Sequence, residues 1–90
     1  MNREDIHAGA SRLFDIPADT RGGLLHVEMT GNRELFLENF KGILELSENE
    51  VIINAGKQNL RITGDKLRIA AMNSNELRLF GIIGSIAFCP

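Results

Sequence analysis

From Leu24 onward, hydrophobic and polar residues alternate with a period of two, the pattern of half-buried β-strands. Turn residues such as Gly, Asn, Asp and Ser separate short runs of this pattern. The runs cover residues 25–29, 34–38, 43–46, 51–54, 60–63, 67–70, 77–80 and 85–88. Because the intervals between them are too short for crossover helices, adjacent strands should pair antiparallel as a meander.

The sequence therefore predicts an all-β core with one N-terminal helix. About seven or eight short strands would form a sandwich or a curled sheet, which would cover the sheet edges. The repeated Leu-x-Ile/Leu unit leaves a second architecture open, a short β-solenoid in which the strands stack as rungs. Unequal intervals and hairpin-type turns favour the meander.

The start of the chain has a helical period instead. Four apolar residues recur there at helical spacing, namely Ile6, Ala10, Leu13 and Phe14. Residues 1–16 are predicted to form an amphipathic helix, which Pro17 ends because the residue before a proline avoids helical dihedrals. Residues 17–23 are a connector, residues 24–90 the β domain, and the whole chain one domain.

Composition excludes several classes of function. Ninety residues support a thin core and no deep catalytic cleft, and a net charge of −2 without a basic block argues against nucleic-acid binding. His7, His26 and the single Cys89 have no partners at metal-ligand spacing, and no serine has a triad setting. We expect a cytoplasmic protein that is not an enzyme, has no cofactor or metal, and lacks an export signal or membrane-inserted segment.

Three arginines alternate outward from the predicted strands: Arg61, Arg68 and Arg78. If their strands are consecutive, the three side chains form one stripe. Such a stripe could bind an anion or a protein partner, because guanidinium groups bind carboxylates and phosphates with two hydrogen bonds. Alternatively, these arginines pair across strands with Glu28, Glu45 or Glu76 on a solvated face.

Some strands carry apolar residues on both faces. Phe36, Ile52 and Ile83 are out of phase with their hydrophobic neighbours. Packing of the N-terminal helix over the second face, or an interface with another protein, would explain them. Residues 79–88 carry no charge; as an edge strand they would invite pairing with another chain, including a homo-oligomer.

Several segments together resemble the YabP/YqfC family of sporulation proteins, most closely its YqfC branch. They are residues 14–19, Gly31, 37–43, 60–69 and 76–88. The most specific is Glu38-Asn39-Phe40-Lys41-Gly42, similar to the family's Glu-Asn-His-Lys-Gly. Phe40 stands where the family often has histidine, which argues against catalysis at that position. The motif itself is either a turn that sets strand register or a loop that recognises a partner.

The resemblance implies a mother-cell protein of endospore-forming bacteria that acts in spore envelope or coat assembly. Its relatives are typically encoded beside a membrane protein of sporulation, so we expect such a membrane protein as partner at the forespore surface. The predicted partner-binding residues are Arg61, Arg68, Arg78, Phe36, Phe40 and Lys41. The alternative is a small β-sheet ligand-binding module with an arginine-lined anion site, although the absence of Trp and Tyr disfavours sugar binding.

Overall fold

The computed structural model describes residues 23–90, where the regular structure is a single six-stranded antiparallel sheet. The strands are β1 (His26–Thr30), β2 (Glu34–Glu38), β3 (Gly42–Leu46), β4 (Glu50–Asn54), β5 (Asn59–Met72) and β6 (Glu76–Cys89). The antiparallel all-β prediction is confirmed, and the β-solenoid alternative is wrong. The predicted N-terminal helix and nearly all of the connector lie outside the described residues.

The strand count differs from the prediction because two pairs of predicted runs are continuous. Runs 60–63 and 67–70 are both part of β5, and runs 77–80 and 85–88 are both part of β6. The turn residues between them form β-bulges, where the β5–β6 register shifts between Thr63 and Gly64 and again between Asp65 and Arg68. A bulge bends a strand without ending its ladder, so turn-type residues here do not mark a strand end.

The meander is interrupted once. The strand order is β1-β2-β6-β5-β4-β3, so β2 pairs with β6 instead of β3. In a flat sheet, four strand spacings would separate β2 from β3 by about 19 Å. The chain from Glu38 to Gly42 spans at most about 14 Å. The sheet must therefore be curled, as the sequence allowed.

The curl divides the sheet into two halves that face each other. Residues 59–63 of β5 pair with β4, whereas residues 76–80 of β6 pair with β2. We call the first of these pairings, together with β3, the β4 half, and the second, together with β1, the β2 half. One cluster of buried side chains from both halves forms the core: Leu35, Leu37, Val51, Ile53, Leu60, Ile62, Leu67, Leu77, Leu79 and Ile83.

Two glycines allow the close backbone approach at the bend. A Cβ atom on Gly64 would lie 2.0 Å from the carbonyl oxygen of Ile82. Gly81 has φ +148°, and a Cβ atom there would lie 2.8 Å from the carbonyl oxygen of Lys66. Only glycine fits both positions without moving the backbone. The same glycines that local pattern assigns to turns thus let the long hairpin fold over its own core.

Candidate functional site

The outer face of the β2 half brings together two of the predicted arginines and a predicted phenylalanine. Phe36 of β2 lies directly opposite Arg78 of β6, and Phe80 of β6 lies directly opposite Arg68 of β5. Leu35, Leu37, Leu77 and Leu79 point inward between them. Strand alternation therefore places these four residues together on the outside of the curled sheet.

Stacking and ion pairing order these side chains. The guanidinium carbon of Arg78 lies 4.7 Å from the ring centroid of Phe36, and that of Arg68 lies 5.5 Å from the centroid of Phe80. Arg78 also forms an ion pair with Glu34. Cation–π contacts at exposed sites contribute about 0.5–1 kcal/mol each, so the cross-strand pairs hold the arginines against the sheet. We call this surface the aromatic–arginine face; it consists of Glu34, Phe36, Arg68, Arg78 and Phe80.

Arg61 does not belong to this face, and the expected stripe of three arginines is wrong. Arg61 and Arg68 lie on one strand, β5, instead of two consecutive ones. The bend between them places Arg61 in the β4 half, where it lies opposite Ile52. The stripe would need a turn at residues 64–66, and the structure has a bulge there.

The alternative prediction, that the arginines form ion pairs across strands, is confirmed for Arg61 and Arg78, but their acidic partners differ from the predicted ones. The Nε atom of Arg61 lies 3.1 Å from a carboxylate oxygen of Glu50, and Arg78 pairs with Glu34. Neither arginine pairs with Glu28, Glu45 or Glu76 in the described part of the chain. Because β2 pairs with β6, Glu34 of β2 lies beside Arg78 in place of the predicted partners.

Phe40 and Lys41 lie away from the aromatic–arginine face, in the connection that carries the chain from the β2 half to the β4 half. Phe40 is half-buried and packs against the core. Lys41 is exposed beside an open cavity of about 500 Å³, which Leu24, Leu25 and Phe88 also line. The structure therefore brings only three of the six predicted partner-binding residues together, namely Phe36, Arg68 and Arg78.

The Glu38–Gly42 motif is the crossing connection between the two halves. Its backbone N–H groups donate to both halves, from Asn39 to the carbonyl of Asn75 (3.0 Å) and from Lys41 to that of Asn54 (2.8 Å). Asn39 takes the left-handed backbone conformation, with φ +65°. These contacts favour the interpretation of the motif as a turn that sets strand register.

Sequence reasoning missed Glu34 and Phe80 as parts of this surface. The local pattern offers a signal for Phe80, which is out of phase with the inward-pointing Leu77 and Leu79. Glu34 has no such signal, because its contact with Arg78 depends on the pairing of two strands far apart in sequence. Among residues 23–90, no group of three His, Cys, Asp or Glu side chains is arranged to hold a metal ion.

The second part of β6 is an open edge. Residues 76–80 are covered by β2, but residues 82–89 pair only with β5. The β1–β2 turn reaches the start of this edge, where the carbonyl of Asn32 accepts a hydrogen bond from the N–H of Ile83. Beyond Ile83, nothing in the described part of the chain pairs with the free side of β6. The uncharged second part of β6 is thus an edge strand and not an internal strand.

Comparisons with known proteins agree with the motif resemblance. A family model described as "YabP family" matches residues 23–90. "Uncharacterized protein YqfC" of Bacillus subtilis (strain 168) is 31% identical over 88 residues, which is 98% of this chain and 95% of that relative. No solved structure matches the chain at a significant level. Within residues 23–90, no helix has the length and apolar character to cross a membrane.

Proposed function

Because this chain belongs to the YabP family, which suggests a role in sporulation, we propose that it is a non-enzymatic protein of spore envelope or coat assembly. It acts through protein–protein contacts in the cytoplasm of the mother cell, peripherally at the forespore membrane. Its partner is a membrane protein of sporulation, and the aromatic–arginine face is the surface that binds it.

The residue composition of that face, and the fact that its side chains are already ordered, support the proposal. Aromatic and arginine side chains are enriched in the energetically dominant parts of protein interfaces. Phe36 and Phe80 are half-exposed, and stacking restrains the arginines before any partner arrives. A side chain that is already ordered loses less conformational entropy on binding.

The charges on the face indicate the chemistry of the partner. Arg78 already pairs with Glu34, whereas Arg68 forms no ion pair within residues 23–90. Arg68 therefore has free N–H donors above an aromatic ring. We infer that the partner presents a carboxylate to Arg68 and an apolar side chain to the neighbouring rings.

Genetic complementation with matched variants tests the proposal. A strain that lacks the gene should form few heat-resistant spores, and the wild-type gene should restore them. The double variant Phe36→Thr, Arg78→Thr removes a directly opposed aromatic–arginine pair from the face and should fail to restore them. Threonine keeps a β-branched side chain in the strand, which limits the loss of strand propensity.

The control removes an equivalent pair from the other half of the sheet. In Ile52→Thr, Arg61→Thr, an apolar residue and an arginine that lie directly opposite each other are replaced in the same way. This variant should support sporulation like the wild type. Equal loss in both variants, with both folded by circular dichroism, would show that the face has no special role. Normal spore yield in the deletion strain would overturn the role in sporulation.

A further inference from the structure

The bend of the β5–β6 hairpin forms an open pocket next to the aromatic–arginine face. Its volume is about 380 Å³. Arg33, Lys66, Arg68, Phe80, Gly81 and Ile82 line it. Three of these six residues are cationic and none is acidic, although acidic residues outnumber Lys and Arg by twelve to ten in the whole chain. The pocket is therefore a local concentration of positive charge on a protein of net negative charge.

Backbone structure, not chance proximity of flexible side chains, brings the three cations together. Arg33 is in the β1–β2 turn, and its carbonyl accepts a hydrogen bond from the N–H of Gly81 (3.1 Å). Lys66 is in the β5 bulge with φ +56°, a conformation that non-glycine residues seldom adopt. Arg68 is stacked over Phe80 at one wall. Three separate segments thus fix the Cα positions of the cations around one opening.

None of these three cations is neutralised by a carboxylate within residues 23–90. Arg61 and Arg78, in contrast, each have an acidic partner. The three cations line the same pocket, so an anion bound there would be attracted by all three.

We propose that this pocket binds a phosphate group. A phosphate dianion presents oxygen atoms in several directions, so it can accept hydrogen bonds from all three cations at once, with an arginine on two of its oxygens. The volume admits one phosphate with a small carrier, and Phe80 and Ile82 supply an apolar wall for that carrier. The pocket differs from the three-arginine stripe, but it shares Arg68 and Phe80 with the aromatic–arginine face, so a bound phosphate would compete with the partner for Arg68. The phosphate proposal does not depend on the proposed role in sporulation.

Titration of the full chain with inorganic phosphate tests the proposal by NMR. The backbone amide signals of Gly81, Ile82 and Arg33 should shift saturably, whereas chloride at the same ionic strength should leave them in place. The double variant Arg33→Gln, Lys66→Gln should weaken binding about tenfold or more, because it removes two charge-assisted contacts. The control Arg61→Gln, Lys57→Gln removes the same two residue types elsewhere and should bind like the wild type.

Vesicles identify the source of the phosphate group. The protein is sedimented with phosphatidylcholine vesicles that contain or lack phosphatidic acid. If binding requires phosphatidic acid and is lost in the variant Arg33→Gln, Lys66→Gln, the phosphate group belongs to a lipid. Saturable shifts with inorganic phosphate but no vesicle binding would indicate a soluble phosphate compound. The proposal is overturned if neither probe binds, if chloride gives the same shifts, or if the control variant loses binding equally.

Discussion

Asn39 holds the crossing connection to the β2 half through both its backbone and its side chain. Its backbone N–H donates to Asn75, and its side-chain amide donates to the carbonyl of Leu24 at 3.2 Å. Its φ of +65° lies in the left-handed region, which asparagine tolerates better than most residues. One residue thus ties the end of β2 both to the turn before β6 and to the chain before β1.

Replacement of Asn39 by alanine should lower the free energy of unfolding by about 2 kcal/mol. The loss combines the strain of a left-handed alanine with one missing side-chain hydrogen bond. Asn39→Gly removes the same hydrogen bond without the strain and should lower it by about 1 kcal/mol. Urea denaturation of the two variants measures the difference. An alanine variant as stable as the glycine variant would mean that the backbone conformation at this residue does not contribute.

Residue by residue, the alternation predicts the core well. The alternation predicts one buried face formed by Leu60, Ile62, Leu67, Ile69, Leu77 and Leu79. Five of the six are buried, and Ile69 is partly buried against the core. Exposure of Phe88 could not be predicted in this way. Its register opposite Leu60 places it on the inner side, yet it is 60% exposed because it lies near the open end of the curl, where no strand of residues 23–90 covers it.

Among the elements of residues 23–90, the sheet has four free edges, and they differ in charge. β1 carries Glu28, β3 carries Glu45, and the second part of β5 carries Arg68. Charged side chains on an edge strand discourage pairing with another chain. The second part of β6 has none between Ile82 and Cys89. In an antiparallel pairing of two copies about a two-fold axis, residue i of one copy lies opposite residue j of the other, and identical residues meet near the axis. An uncharged edge is suited to such pairing, and Ala87 lies near the middle of the open edge that follows Ile83.

We therefore predict a concentration-dependent dimer formed by the β6 edges. Ala87→Glu should abolish it, because two glutamates would then lie close together at the interface. The new carboxylate lies opposite Arg61 within the same chain, so the fold should tolerate it. Light scattering over a range of protein concentrations measures the molar mass of the particle and so distinguishes a monomer from a dimer.

The matched control for this prediction is Ala71→Glu. Ala71 lies on the open edge of β5 and is likewise opposite an arginine, Arg78. This variant should dimerise like the wild type. A wild-type chain that stays monomeric at high concentration, or a dimer that Ala87→Glu leaves intact, would contradict the assignment of the interface to β6.

Strand positions were predictable from the sequence, and strand partners were not. The first four strands match the predicted runs to within one residue, because period-two alternation and turn residues are local signals. The pairing of β2 with β6 is a long-range contact with no local signal. The prediction of the arginine stripe was wrong for a different reason, the bulge that keeps Arg61 and Arg68 in one strand. The β2–β6 pairing explains how Phe36 and Arg78 come together.

For the whole molecule, the curl has a functional consequence. Because the two halves share one core, their outer faces point away from each other and can bind different partners. The β2 half presents the aromatic–arginine face and the cationic pocket at the bend, whereas the β4 half presents Arg61 paired with Glu50. We propose that, of these surfaces, the aromatic–arginine face binds the partner.

Site-specific photocrosslinking in sporulating cells tests that assignment most directly. A photoreactive phenylalanine analogue replaces Phe36 on the aromatic–arginine face or, as control, Ile52 on the opposite half. Partner binding by the aromatic–arginine face should give a discrete crosslinked product in the membrane fraction from position 36 and none from position 52. The assignment is contradicted if position 36 gives no product, or if both positions crosslink to the same extent.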